Sequence, residues 1–161
     1  LHINFSVTAA DGRDVLPAAI AGILARISDM TLFLNPKEES YRRFGSCKAP
    51  RYISWSAENR SQLIRVPAAE GEYRRAELRS PDALCNPYLA FALLIRAGME
   101  GIAREAQLPP AADLNLFTAP EEVRRRYALL PETLAAAKAA AAGSDFIKEN
   151  LPESVLKYYV N

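Results

Sequence analysis

Residues 73–82, YRRAELRSPD, combine the period of a β-strand with alternating charges. Successive side chains of an extended strand point to opposite faces, so Arg75, Glu77 and Arg79 share one face, opposite the apolar residues between them. Tyr73 is predicted on that same charged face. At about 3.3 Å per residue, the three charges extend over roughly 13 Å. The pattern predicts either a solvated face with cross-strand ion pairs or a face that binds a polyphosphate or a metal-bridged acid.

The composition is that of an ordinary globular domain. The chain has 161 residues, of which 50% are hydrophobic and 24% charged, and this length is enough to bury a core. Its 20 basic and 19 acidic residues give a net charge of +1, so we expect neither nucleic acid nor a membrane as a partner. We identify no run of about 18 apolar residues typical of a transmembrane helix. Cys47 and Cys85 form no CxxC pair, which favours a reduced, cytoplasmic setting.

Hydrophobic periodicity predicts a strand, a helix, three strands, a long helix and a helical tail. The predicted strands cover residues 1–7, 52–56, 62–66 and 73–79. The predicted helices cover residues 14–34 and 88–105, a short helix opened by a capping box at Thr118, residues 132–142, a short piece capped by Ser144, and residues 151–161. Asn86 and Pro87 favour a helix start, and the helix that follows is apolar nearly all round, which predicts that it is buried.

This order predicts an α+β fold with a mainly antiparallel sheet, packed helices and a helical C-terminal tail. Residues 1–106 are predicted to form the core with the candidate site residues, and residues 107–161 the helical tail. Because the first residue, Leu1, already lies in a predicted strand, we expect a piece of a longer protein. The sequence has no GxxxxGK[ST] or GxGxxG loop, so a nucleotide would have to be held by side chains on the sheet.

Two charged positions in the other predicted strands favour a binding site. Arg65 lies in an apolar strand, where an unpaired guanidinium is costly to bury, so we expect a carboxylate partner or a bound anion beside it. His2, the single histidine, lies on the polar face of the first strand together with Asn4 and Ser6. A structural role and a ligand role both remain open for His2.

Four ordered motifs resemble those of glutamine synthetases. Residues 1–6 resemble the family's GMHxHxS strand, and residues 35–50 resemble its NPxxxSYKR…EAP run. Residues 55–67 resemble (S)ARNRS…IRIP, and residues 74–91 resemble RRIEVRFPD…NPYLAF. The resemblance covers residues 1 to about 102, and the tail matches only as a generic helical end. It implies the C-terminal part of a glutamine synthetase catalytic domain.

The resemblance also implies a reaction and its binding residues. Glutamine synthetases form γ-glutamyl phosphate from ATP and glutamate, and ammonia then displaces the phosphate. By motif position, His2 and Glu77 are implied ligands of Mg2+ or Mn2+. The implied ATP-binding residues are Asn4, Ser6, Arg60, Arg65 and Arg75, with Arg60 also implied in catalysis. The implied substrate-binding residues are Arg43 and Arg79, which correspond to arginines that hold the glutamate carboxylates.

Two departures from the family pattern leave alternatives open. Lys48 stands where the family has the glutamate that attracts ammonium and takes its proton, and a lysine with its ordinary pKa of about 10.4 does neither at neutral pH. The family's other metal carboxylates correspond to positions before Leu1. The chain is therefore expected to be a fragment of a glutamine-forming ligase that is inactive alone, of a γ-glutamyl ligase using another amine, or of a non-catalytic scaffold. In each case a homo-oligomer is expected for the full-length protein.

Overall fold

The computed structural model describes residues 1–46, 48–69 and 71–161, with the backbone alone at residue 72, so Cys47 and Glu70 lie outside the described residues. The strands are β1 (Ile3–Phe5), β2 (Trp55–Ser56), β3 (Ile64–Arg65) and β4 (Ala76–Leu78). The helices are α1 (Leu16–Leu34), α2 (Glu38–Tyr41), α3 (Pro87–Ala103), α4 (Glu121–Arg124), α5 (Leu134–Gly143), α6 (Asp145–Asn150) and α7 (Glu153–Val160). A 3-10 turn covers Gly71–Tyr73.

The four strands form one small mixed sheet in the order β1-β4-β3-β2. β4 is antiparallel to both β1 and β3, whereas β2 and β3 are parallel. The predicted α+β class with a mainly antiparallel sheet is confirmed. The register places Asn4 of β1 and Arg65 of β3 on either side of Glu77 in β4. Side chains at paired positions point to the same face, so the charged positions of three strands meet around Glu77.

The strands are shorter than predicted, and this moves two side chains. Within the strand predicted for residues 73–79, only Ala76–Leu78 forms a β-strand. Tyr73 lies in the 3-10 turn, and Arg75 is exposed and donates to the Tyr73 carbonyl oxygen at 3.2 Å. Gly71 opens this turn with a φ of +57°, a value that disrupts an extended strand. The prediction that Tyr73, Arg75, Glu77 and Arg79 share one strand face is therefore wrong for Tyr73 and Arg75.

α1 and α3 form the centre of the core. α1 begins at Leu16, two residues after the predicted start, with Pro17 in its first turn, and it ends before Asn35 as predicted. The two helices approach most closely at Gly22 and Gly101, where an added Cβ on Gly22 would lie 2.7 Å from the Gly101 Cα. Only residues without a side chain allow two helix backbones to come this close. The pair therefore fixes the spacing of the core.

The apolar composition of α1 is explained by this packing. By length and composition the 19-residue helix is apolar enough to cross a membrane, which corrects the expectation that the sequence contains no such stretch. Of the most apolar 18-residue stretch of α1, 67% is buried inside the protein. A core helix covered on most sides has the same composition as a membrane span.

α3 is not buried all round, contrary to the prediction. Asn86 caps it by accepting hydrogen bonds from two backbone N–H groups, as predicted. Its buried face packs on α1, but Tyr88 is 84% exposed and Ile95 63% exposed. Phe91 and Met99 lie on the same exposed face. Apolar residues on every side of a helix therefore do not establish that this chain covers them all.

The C-terminal helices pack around α1 with fewer of the predicted caps. The predicted capping box at Thr118 is wrong, because α4 begins after Pro120 without a side-chain cap. Ser144 caps α6 as predicted, and its hydroxyl also donates to Asp29 of α1 at 2.8 Å. The short helix α2 was not predicted from the sequence. The helical tail is thus attached to the core helix by a specific polar contact.

An ion pair between α1 and α3 is expected to make stability depend on pH. Arg26 donates to both carboxylate oxygens of Glu100 at 2.8 and 2.6 Å. This hydrogen bond, opposed by burial, holds the pKa of Glu100 below its usual value. A carboxyl group with a lowered folded-state pKa contributes stability above its unfolded pKa of about 4.3, and the contribution is lost as the pH falls through the folded pKa.

We therefore expect Glu100→Gln to lower the free energy of unfolding by about 1 kcal/mol at pH 7, because both partners are partly exposed. At a pH below the folded-state pKa of Glu100, variant and wild type should differ much less. Urea denaturation at a series of pH values from 7 downward measures both differences. Glu122→Gln, at an exposed position of α4, is the control and should change neither. A Glu100→Gln loss that stays constant over the series would contradict the assignment.

Candidate functional site

Six of the predicted site residues meet at one cavity on the charged face of the sheet. The cavity is lined by His2, Lys48, Arg60, Arg65, Glu77, Arg79 and Phe117. They come from the residue before β1, the turn before Ala49, the turn after β2, β3, β4 with the residue that follows it, and the segment before α4. The sheet thus brings together side chains that are as many as 115 positions apart in the sequence.

Glu77 is the centre of this cluster. Its Oε1 lies 2.8 Å from Nδ1 of His2, and its Oε2 accepts from Nε of Arg65 at 3.1 Å and from Nη1 of Arg79 at 2.8 Å. The carboxylate partner that the sequence predicts for Arg65 is therefore Glu77. The neighbouring arginines are Arg65 and Arg79, which corrects the expectation that Arg75 and Arg79 flank this carboxylate.

These contacts set the charges of the cluster. Burial raises the pKa of Glu77, but the hydrogen bond and charge of Arg79, with His2 and Arg65, outweigh it and lower that pKa overall. Burial and the Arg79 charge lower the pKa of His2 against the opposing effect of Glu77. At neutral pH Glu77 is therefore ionised and the neutral imidazole is favoured. The Nδ1–H then donates to Glu77, and Nε2 keeps a free lone pair.

The donor set fits part of a metal shell. The imidazole of His2 and the carboxylate of Glu77 lie on the same face of the sheet, with 2.8 Å between Nδ1 and Oε1, close enough for both side chains to reach one ion. Mg2+ and similar ions are commonly held by one or two carboxylates together with waters and substrate phosphates. Across the residues described, no group of three or more His, Cys, Asp or Glu side chains is placed to hold an ion. The role of His2 and Glu77 as ligands stays a prediction.

Arg79 is the most buried member of the cluster, with a side chain only 3% exposed. Its Nε donates to the backbone carbonyl of Arg60 at 3.2 Å, in addition to the contact with Glu77. Arg79 therefore connects β4 to the turn that presents Arg60. The side chain of Arg60 itself is exposed and lines the cavity.

Lys48 reaches the cavity from a turn of unusual backbone geometry. Its φ is +64°, in the left-handed region that residues with a side chain rarely adopt. The turn is closed by hydrogen bonds from Gly45 N to Ala49 O and from Ala49 N to Ser46 O, both at 2.8 Å. The exposed Lys48 side chain lines the cavity together with three arginines of the cluster.

Phe117 is the lining residue that sequence reasoning missed. It lies in residues 106–120, which form no helix although they begin the predicted helical tail. Gln62 anchors this segment by donating to the Leu114 carbonyl at 2.6 Å, and the Ser61 hydroxyl accepts from Leu116 N at 2.8 Å. The only sequence feature that indicated a contact with this segment was Gln62. It is a polar residue in an apolar strand, and its side-chain amide needs hydrogen-bond partners when buried.

Two predicted arginines lie away from the cavity. Arg43 forms an ion pair with Asp82, with 3.2 Å between Nε and Oδ2. Its Nη2 donates to Asn35 at 2.9 Å and to the Ser80 carbonyl at 3.1 Å. Arg75 is exposed near Tyr73. The structure does not bring either side chain into the cluster, and their predicted substrate and ATP roles rest on the resemblance alone.

Asn4 and Ser6, the two implied ATP-binding residues of the first predicted strand, lie in different surroundings. Asn4 is exposed on the charged face, next to Glu77 in the register. Ser6 lies beyond the end of β1 and lines an apolar groove beside α3, together with residues such as Ile23 and Ile95. Their roles also stay predictions.

Comparisons with known proteins agree on one family. Residues 4–161 match the family model described as glutamine synthetase, catalytic domain. The chain is 44% identical over 144 residues to a glutamine synthetase of Methanosarcina mazei and 41% identical to one of Thermus thermophilus, covering 88% of this chain and 32% of each relative. A solved structure described as a GmaS/ADP complex aligns with a TM-score of 0.84 at 25% identity, covering 98% of this chain and 40% of that one. The chain thus spans about a third of the length of the curated relatives it matches.

Proposed function

Because this chain belongs to the glutamine synthetase catalytic-domain family, we propose that it supplies part of the active site of an ATP-dependent glutamate–ammonia ligase. The observation that supports this most is the cavity in which Glu77 contacts His2, Arg65 and Arg79 beside the exposed Arg60. Fixed cations beside a carboxylate and an imidazole are what phosphoryl transfer needs. Such transfers depend on positioning and on electrostatic stabilisation more than on covalent catalysis.

We propose the following division of roles. Arg60 and Arg65 bind ATP phosphate oxygens and stabilise the charge that develops as the γ-phosphoryl group moves to the glutamate side chain, giving γ-glutamyl phosphate. Arg79 holds a glutamate carboxylate, and His2 and Glu77 would hold Mg2+ or Mn2+. A bound divalent ion would supply charge neutralisation at the phosphate oxygens. Ammonia would then displace the phosphate.

A longer protein containing this chain tests the proposal. It should release phosphate from ATP only when glutamate and ammonium, or another amine, are both present with magnesium. Release that does not depend on glutamate would refute the ligase, and no release at all would refute it and favour the non-catalytic scaffold. The longer protein is proposed to be a cytoplasmic homo-oligomer.

We expect no ligase turnover from the 161-residue chain alone. It spans about a third of its relatives and, within the described residues, provides only the donors of His2 and Glu77 for a metal. The measurement is phosphate release by the purified chain with ATP, glutamate, ammonium and magnesium, and the longer protein is the positive control. Glutamate-dependent turnover by the chain itself would contradict this expectation.

A second candidate function is a γ-glutamyl ligase that uses an amine other than ammonia. Lys48 favours it, because an ammonium side chain lining the cavity repels an ammonium substrate. A structural neighbour, GmaS, was solved with ADP, which supports a nucleotide site in this fold. Phosphate release by the longer protein with a panel of primary amines against ammonium separates the two candidates.

A further inference from the structure

The cavity contains more positive charge than its own residues neutralise. Four of its lining side chains are lysine or arginine, and the carboxylate in its lining, Glu77, already contacts Arg65 and Arg79. Among the side chains that the structure describes, which leave out those of residues 47, 70 and 72, Lys48 and Arg60 form no ion pair with a carboxylate. Like charges within one cavity repel each other, and the field is stronger there than on an open surface. An anion entering beside Lys48 and Arg60 relieves this repulsion.

The fold also holds Lys48 in a costly position. Left-handed backbone at a residue with a side chain is strained and persists only where the surrounding structure imposes it. Two hydrogen bonds that close the turn on Ala49, which is buried, impose it here. Lys48 therefore lies beside the cavity because of the turn's geometry and not because a free loop happens to sample that place.

We propose that Lys48 and Arg60 form an anion subsite at the mouth of the cavity, which takes a phosphate or carboxylate group of the ligand. Arg60 offers a planar fork of donors and Lys48 a compact charge, and both make their strongest hydrogen bonds to such anions. The inference rests on the proposed function in assigning the ligand to the ligase reaction. The inference adds that Lys48 binds an anionic group of the ligand. That group belongs either to a phosphoryl donor or to an amine acceptor that bears a carboxylate.

Phe117 lines the same cavity with an apolar ring. The buried amide of Gln62 and the hydroxyl of Ser61 anchor its segment, so the ring is held at the wall of the cavity. The ring is 39% exposed, so it forms one wall of the subsite and leaves the subsite open to solvent.

The experiment is calorimetric titration of the 161-residue chain, without divalent metal and at low salt, with inorganic pyrophosphate and separately with glutarate. Lys48→Gln should weaken binding of at least one of these anions about tenfold, while Lys48→Arg should retain it. Lys37→Gln, at an exposed lysine just before α2, is the matched control and should bind as wild type. Arg60→Gln is a second variant and should also weaken binding. Unfolding midpoints establish that each variant is folded.

The outcomes distinguish a phosphoryl ligand from a carboxylate ligand, and they test the subsite separately from the proposed ligase function. A Lys48-dependent affinity for pyrophosphate alone assigns the subsite to a phosphoryl group, and one for glutarate alone assigns it to a carboxylate. No binding of either anion by wild type, or unchanged binding by Lys48→Gln, would overturn the subsite. The assay needs no turnover, so it can fail while the longer protein is an active ligase. It can also succeed when that protein shows no glutamate-dependent phosphate release.

Discussion

Glu77→Gln is expected to lower the free energy of unfolding of this chain by about 3 kcal/mol at pH 7. The carboxylate accepts from Arg65 and Arg79 and contacts His2, and the Arg79 side chain is almost fully buried. Removing the negative charge leaves a buried guanidinium without its counter-charge, and this is the costly way to break an ion pair. Because Arg65 and His2 are partly exposed, we expect the lower end of the range for buried pairs.

A double-mutant cycle with Arg79→Met distinguishes this cause from a general loss of packing. The double variant Glu77→Gln/Arg79→Met should lose clearly less stability than the sum of the two single variants, because neither charge is then left unpaired. Glu58→Gln, at an exposed position after β2, is the matched control and should leave the urea midpoint unchanged. Additive losses, or a Glu77→Gln loss below about 0.5 kcal/mol, would show that the cluster is weakly coupled.

Gly101→Ala is expected to cost about 3 kcal/mol, the upper end for overpacking in a core. An added Cβ would lie 2.7 Å from the Cα and N of Gly22 and closer still to the Ala18 carbonyl oxygen. These are backbone atoms, which cannot rotate aside as a side chain can. α1 and α3 would have to separate, and the contacts along the whole helix pair would weaken.

Gly98→Ala is the matched control because Gly98 lies on the same helix and on the same face. Its added Cβ would meet the Ala19 Cβ at 3.6 Å, an ordinary contact distance. Alanine is about 1 kcal/mol better than glycine inside a helix, so this variant should be as stable as wild type or more stable. Urea denaturation of both variants measures the difference, and equal stability of Gly98→Ala and Gly101→Ala would contradict the close approach.

Local patterns predicted the sheet and its charged face well, for physical reasons. Alternation along a strand fixes which side chains share a face, so Glu77 and Arg79 were placed together from the sequence alone. The cost of burying a charge predicted a partner for Arg65, and that partner is Glu77. The resemblance implied that His2 and Glu77 are ligands of a metal, and the pairing of β1 with β4 places their side chains next to each other.

Contacts between distant segments were not predictable in the same way. Arg43 pairs with Asp82, and Phe117 reaches the cavity through Ser61 and Gln62, but no local pattern encodes either pairing. The prediction that α3 is buried on all sides was wrong for a related reason. Apolar periodicity reports which side chains favour burial, but not whether this chain supplies the atoms that cover them.

The close contact of Gly22 with Gly101 also determines when the core can form during synthesis. The two residues are separated by 79 positions, and α1 has no partner for this face until α3 leaves the ribosome. At about 5–20 residues per second, the ribosome needs roughly 4–16 s to add that length. During that interval the most apolar helix of the chain is exposed, so α1 is the segment on which we expect a nascent-chain chaperone to act.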